Sequence, residues 1–271
     1  MVGVKKNNAL SILLITLTLL FFYLPIIVMM VFSFNDSRSL TVWGGFSLRW
    51  YSRLFQDLEM MDAIKNTVIV ATSATLISTF IGTITAIGLS KSKKVIKDII
   101  LTINDLPILN PEIVTAIGMM LFFSTLAVQK GLITMLLTHI AFCIPYVILS
   151  ILPKLRSLDP NVAEAALDLG ATPWQTLTKV IVPQIIGNII SGALIAFTMS
   201  FDDFVISYFS TGNGVKNISI MVYTMTKRIN PTINALSTLM VAVITIVLIF
   251  VNVVPALRNR GNIENAFQEG Y

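Results

Sequence analysis

The chain has 271 residues, 55% hydrophobic and only 12% charged, with a mean hydropathy of +0.82. That balance is far from a soluble domain and marks an integral membrane protein. Nineteen Lys and Arg against fourteen Asp and Glu give a net charge of +5, which basic residues meeting anionic lipid headgroups account for, so no nucleic-acid partner is called for.

Apolar runs lie at roughly 9–34, 66–90, 99–126, 131–152, 184–208 and 235–256, each near or above the ~20 residues a spanning helix needs. They predict an all-α membrane protein, one transmembrane domain over 1–271 built as a six-helix bundle with both termini on one side. A β-barrel is excluded, because its strands are ~10 residues of alternating polarity. The first run follows Lys5 and Lys6, is too long for a signal-peptide core and meets no small-residue cleavage site before Asn35-Asp36, so it is expected to stay as an uncleaved anchor. The loop from Asn35 to Lys65 supplies Trp43, Trp50 and Tyr51, whose rings suit either an interfacial belt or an ammonium group.

In the second run Ala74, Ser78, Gly82, Ala86 and Ser90 recur every four residues, a small-residue stripe that permits close helix approach. The KSKKVIK turn after it carries four lysines, so the positive-inside rule places that turn and both termini in the cytoplasm. Lys5, Lys6, Lys154, Arg156, Lys179, Arg258 and Arg260 fall on the same side. The third run is interrupted by Pro107 and Pro111, four residues apart, which disturb the hydrogen-bond ladder. Asn110 then reads as an N-cap, Pro111 as the first helical residue and Glu112 as a first-turn carboxylate or a path residue. In the fourth run the single histidine, His139, reads as an intramembrane hydrogen-bonding group rather than a metal ligand, and the single cysteine, Cys143, rules out a disulfide framework.

A polar island, EAALDLGATPWQTLTKVIVP at Glu164–Pro183, separates the fourth and fifth runs. It predicts a short amphipathic helix over 161–169, a stop at Gly170, a second helix opening at Thr172-Pro173 and a return to the membrane at Pro183. Small Ala165 and Ala166 allow close approach and Gly170 supplies a left-handed turn, which is the shape of a docking knob or of a hairpin lying on lipid. In the fifth run the intramembrane carboxylates Asp202 and Asp203 are costly to insert and so mark function. Neighbours in a helix are ~100° apart, so one is expected to face a path and the other a partner such as Lys227 or Arg228. Carboxylates along a path suit a cationic substrate.

The spacing E-A-A, three residues, Gly, nine residues, then V-I-V-P resembles the cytoplasmic signature loop of permease subunits in binding-protein-dependent ABC importers. Glu164, Ala165, Ala166, Gly170 and Pro183 match it directly, while Val180 and Val182 stand where Ile and Leu are commoner. Four further stretches, FSLRWYSRLF, NPEIVTAIG, THIAFCIPYV and FTMSFDDFVISYFSTG, are similar to spermidine/putrescine permease subunits of the PotC type. That resemblance implies the ABC importer permease fold, with a cytoplasmic coupling loop over about 157–183 that docks on an ATPase. It also implies a path containing Trp50, Glu112, Ser200, Asp202 and Asp203. The implied partners are a second, PotB-like permease, two copies of a PotA-like ATPase and a PotD-like extracytoplasmic binding protein. No cofactor is expected on this chain: it lacks a G-x-x-x-x-G-K-[ST] loop, and ATP and Mg belong to the ATPase. The competing readings are an importer of another solute, a proton-coupled secondary transporter using Glu112 or Asp202, and a scaffold protein with no path.

Overall fold

The structure is a computed structural model that describes residues 8–39, 41–159, 161–212, 214–226 and 230–249. The described chain is built from helices α1 (Asn8–Phe32), α2 (Arg49–Gln56), α3 (Leu58–Lys91), α4 (Lys94–Leu109), α5 (Glu112–Thr125), α6 (Leu132–Ser157), α7 (Asn161–Asp168), α8 (Pro173–Gln175), α9 (Val182–Phe201), α10 (Val205–Ser210), α11 (Ile218–Thr226) and α12 (Thr232–Leu248). A π-helical segment, Thr176–Ile181, joins α8 to α9. Among the described residues four helices are long and apolar enough to cross a bilayer, Leu10–Phe32, Leu58–Lys91, Leu132–Ser157 and Pro173–Phe201, and a fifth span arises if α4 and α5 count as one. The 17-residue α12 is the described part of the sixth predicted run. Residues 250–256 of that run lie outside the described residues, as do Lys5, Lys6, Lys227, Arg228, Arg258 and Arg260.

The third run is not one helix. Pro107 lies inside α4, and α4 and α5 are bent by 107° at Asn110-Pro111. Asn110 is the C-cap of α4 and Pro111 the N-cap of α5, one position later than the sequence pattern predicts. The cause is steric: a residue before proline is pushed out of the helical region, and Asn110 accordingly has ψ 148°. Glu112 is the first residue of α5, as expected of a first-turn carboxylate.

The chain divides into two compact units, residues 1–58 with 224–271, and residues 59–223. In the first, α1 and α2 both pack on α12. Its 33–48 loop is organised by Asn35, which is 1% exposed. The Asn35 side chain donates to the carbonyls of Val42 (2.8 Å) and Ser39 (3.3 Å) and accepts from the amides of Gly44 (2.7 Å) and Ser37 (3.2 Å). One side chain thereby supplies the bonds that a strand ladder would otherwise provide.

In the second unit α6 is the central helix, packed by α9, α10, α5 and α4. The small-residue stripe of α3 is buried at Ala74, Ser78 and Ala86. At Gly82 a Cβ would lie 2.7 Å from Val147 Cγ1 of α6, so glycine is what permits this approach. Gly192 of α9 meets α6 in the same way, with Ser150 Cβ 3.2 Å from where its Cβ would stand. Beside it Ser150 donates to the Asn188 carbonyl (2.9 Å) and Asn188 donates back to the Ser150 carbonyl (3.0 Å).

Gly82→Ala should destabilise the folded protein by about 1–3 kcal/mol through overpacking against Val147. Val147→Ala in the same chain should recover part of that loss, read as melting temperature in detergent. Additive effects of the two substitutions would show that the helices do not meet there.

Candidate functional site

Most of the polar residues singled out in the sequence converge on one place, the end of α9. The helix stops at Phe201, and Asp202, Asp203 and Phe204 form a non-helical break before α10. The expectation that the two aspartates project from a continuous helix is therefore corrected. The break itself separates their roles, leaving Asp202 exposed and Asp203 only 5% exposed.

Asp203 is fully engaged. One carboxylate oxygen accepts from the Ile206 amide (3.1 Å), and the other accepts from the Ser207 amide (2.7 Å) and lies 3.5 Å from His139 Nε2. The first two bonds cap the amino end of α10, where backbone N–H groups have no helical partner. Among the described residues the partners of Asp203 are thus His139 and a helix end, while Lys227 and Arg228 lie outside the described residues.

His139 of α6 is completely buried, with Nδ1 2.7 Å from Ser200 Oγ and Nε2 2.9 Å from Ser207 Oγ. Its expected role as a hydrogen-bonding group agrees with this geometry. Asn217 extends the network, donating to Ser207 Oγ (2.7 Å) and to the Asp203 carbonyl (3.2 Å). Ser219 of α11 donates to the Asp202 carbonyl (3.1 Å). Glu112, half-buried at the start of α5, has its carboxyl beside that of Asp203 and within the field of Asp202. Three carboxylates from two segments thus share one region. Phe204, Tyr208 and Tyr223 cluster next to it, with centroids 4.7 Å apart for Phe204 and Tyr223 and 5.4 Å apart for Phe204 and Tyr208. Carboxylates with aromatic faces form a setting suited to an organic cation.

Trp50 is a separate case. It belongs to the first unit and is 2% exposed, its Nε1 donates to the Asn35 carbonyl (2.6 Å), and the Arg49 and Arg53 guanidinium groups lie 4.5 and 5.0 Å from its ring centroid. Its ring is engaged by the protein's own cations, so the expectation of an open aromatic face there is corrected.

The second candidate region is the 157–183 loop. The helix α7 ends at Asp168, and Gly170 follows at φ +87°. The Ala171 amide donates to the Ala166 carbonyl (3.0 Å) and the Gly170 amide to the Leu167 carbonyl (2.9 Å), the two bonds of a Schellman closure. Thr172 then opens α8 with a reciprocal capping box, its Oγ1 accepting from the Gln175 amide (3.2 Å) and its amide donating to Gln175 Oε1 (2.9 Å). Pro183 sits in the first turn of α9, so the helix that opens at Pro173 continues through it. Glu164 and Ala165 are exposed, Ala166 is half-buried, and Leu169 and Trp174 present large apolar surfaces at 89% and 71% exposure. Those two had no role in the motif-based reading, yet on a tightly closed turn they form an exposed apolar surface.

A family model described as "Binding-protein-dependent transport system inner membrane component" matches residues 78–257. The chain belongs to this family. It is therefore a multi-pass inner-membrane permease component of an ABC importer, and not itself an enzyme. The permease is 36% identical over 244 residues to "Putrescine transport system permease protein PotI" of Escherichia coli (strain K12), with 87% of each chain covered. It is 32% identical over 243 residues to "Spermidine/putrescine transport system permease protein PotC" of the same organism, covering 89% of this chain and 92% of that one. Among solved structures, one of a bacterial ABC transporter that imports the acidic polysaccharide alginate matches with a TM-score of 0.72 at 16% identity, over 96% of the permease and 99% of that chain. A second alginate transporter structure, in complex with a pentasaccharide-bound periplasmic protein, matches with a TM-score of 0.67 at 18% identity, over 90% and 91%. At those identities the likeness establishes the fold.

Because Asp203 caps α10 and Asp202 does not, Asp203→Ala should lower the melting temperature of the purified permease, with a cost of about 1–3 kcal/mol for the orphaned donors. Asp202→Asn should leave the melting temperature unchanged. Equal melting temperatures for the two variants would contradict the separation of roles.

Proposed function

We propose that this permease forms half of the translocation path of an ATP-driven polyamine importer. The observation that carries the reading is the likeness over 87% of the chain to a putrescine permease, alongside a comparable likeness to a spermidine/putrescine permease. The carboxylates Glu112 and Asp202 supply the chemistry, since a polyamine presents ammonium groups that pair with them while its methylenes pass apolar walls. Ser200 and Asp203 belong to the same site from the buried side, and the exposed rings of Tyr208 and Tyr223 add cation–π surface.

In this reading a second, PotB-like permease completes the path, a PotD-like extracytoplasmic binding protein delivers substrate, and two PotA-like ATPases bind the ATP and Mg. The coupling element is the loop of Glu164, Ala165, Ala166, Gly170 and Pro183, with its termini-side orientation in the cytoplasm. ATP-driven closure of the ATPases draws the loops of the two permeases together and opens the path outward, and hydrolysis restores the inward-open state. The Schellman turn and the capping box make the loop stiff enough to transmit that displacement.

Radiolabelled putrescine and spermidine uptake should be measured in cells lacking their own polyamine importers, with this chain and its genomic neighbours expressed. Uptake that requires both this chain and ATP is expected; its absence in an assembled complex would turn the search to other solutes. Glu112→Gln and Asp202→Asn should each lower uptake roughly tenfold, the scale of losing one charge-assisted contact. Glu164→Arg should abolish uptake and weaken copurification with the ATPase, and normal values for both would reject the coupling assignment.

A further inference from the structure

The break between α9 and α10 is three residues long: the Asp202 amide still closes on the Thr198 carbonyl (3.5 Å) and the Phe204 carbonyl already accepts from the Tyr208 amide (2.8 Å), and an interruption between two helical ladders leaves the angle between the helices to other contacts. Here a single imidazole spans the gap. His139 reaches Ser200, the penultimate residue of α9, with one ring nitrogen at 2.7 Å. With the other it reaches Ser207 of α10 at 2.9 Å and the Asp203 carboxylate at 3.5 Å. The ring is held in place because α6, which carries it, is the central helix of the unit and packs on both α9 and α10. Ser200, Asp203 and Ser207 are all 5% exposed or less, so these contacts form away from solvent, where a lost polar partner costs most.

We infer that His139 is a positioning residue for substrate, a cross-brace that fixes the Asp202–Phe204 break so that Asp202 stays exposed within the field of Glu112 while Asp203 stays buried. This rests on the reading of Glu112 and Asp202 as path residues. His139 touches no substrate. It acts through Ser200, Ser207 and Asp203, and its effect is to hold the Asp202 carboxylate in one place before a cation arrives.

The two ring nitrogens have separable partners, which makes the idea testable by conservative replacement. An asparagine amide occupies roughly the place of Nδ1 and retains the Ser200 contact, whereas a glutamine amide reaches the place of Nε2 and retains Ser207 and Asp203. In the reconstituted complex with its binding protein, His139→Leu should raise the half-saturating concentration for polyamine uptake roughly tenfold at nearly unchanged maximal rate, the scale of losing buried polar contacts. His139→Gln should restore most of the affinity and His139→Asn less. A variant that copurifies with the ATPase and loses only maximal rate, or one with wild-type half-saturation, would overturn the assignment.

A second measurement needs no substrate. Amide hydrogen exchange across residues 202–210 of the purified complex should be faster in His139→Leu than in wild type, with exchange in α3 unchanged. Unchanged exchange across 202–210 would overturn the cross-brace even if polyamine uptake had been demonstrated. Faster exchange together with no polyamine uptake by the wild-type complex would sustain the brace and sink the polyamine reading alone.

Discussion

A helix inside an apolar layer satisfies its own backbone, and wherever it stops, the freed donors and acceptors need partners that the layer does not offer. The Asp202–Phe204 break meets that constraint with a buried carboxylate: Asp203 takes the Ile206 and Ser207 amides in the first turn of α10, and His139 faces it from α6. Asp203 is committed inward, and its neighbour Asp202, at the C-cap of α9, is left exposed. The arrangement of Ser200, Ser207, Asn217 and Glu112 follows from where that one carboxylate is buried.

The same constraint appears at Asn110-Pro111, where a 107° bend brings Glu112 to the start of α5. That bend and the α9–α10 break meet, because α5 packs on α10. Two interruptions, each unfavourable alone, are placed against each other, so that the irregular backbone and the charged groups occupy one region and the remaining helix surfaces stay apolar. Close approach of the helices makes this geometry stiff. Gly82 and Gly192 let α3 and α9 lie directly against α6, and the Ser150–Asn188 pair adds two reciprocal hydrogen bonds at the second of those contacts.

The 157–183 loop solves a different problem with local means. Its reversal depends on a positive φ at Gly170, and its re-entry into helix depends on Thr172 and Gln175 closing on each other. Neither device calls on the rest of the protein, so the loop holds its shape while presenting Leu169 and Trp174 to the outside. A π-helical segment connects it to α9, which carries Ser200 near its far end, so the loop and the carboxylate region belong to one run of helix from Pro173 to Phe201.

The sequence by itself determined the membrane class, the positions of the long helices and the shape of the loop, since run length, capping residues and Gly170 act through neighbouring residues. It marked Glu112, Asp202 and Asp203 through their charge in apolar surroundings, and Ser200 through the family resemblance alone, and the structure brings these together. It misplaced Asn110 and Pro111 by one position and treated the two aspartates as helical, because a helix end within an apolar run carries no hydropathy signal. Only the tertiary structure decided that Asp203 is buried and Asp202 exposed, that Trp50 is enclosed by Arg49 and Arg53, and that His139 bridges α9 and α10. Those outcomes depend on contacts between residues 61 or more positions apart, as for His139 with Ser200 and Ser207, or on the folding of a loop around Asn35, and no periodicity along the chain encodes them.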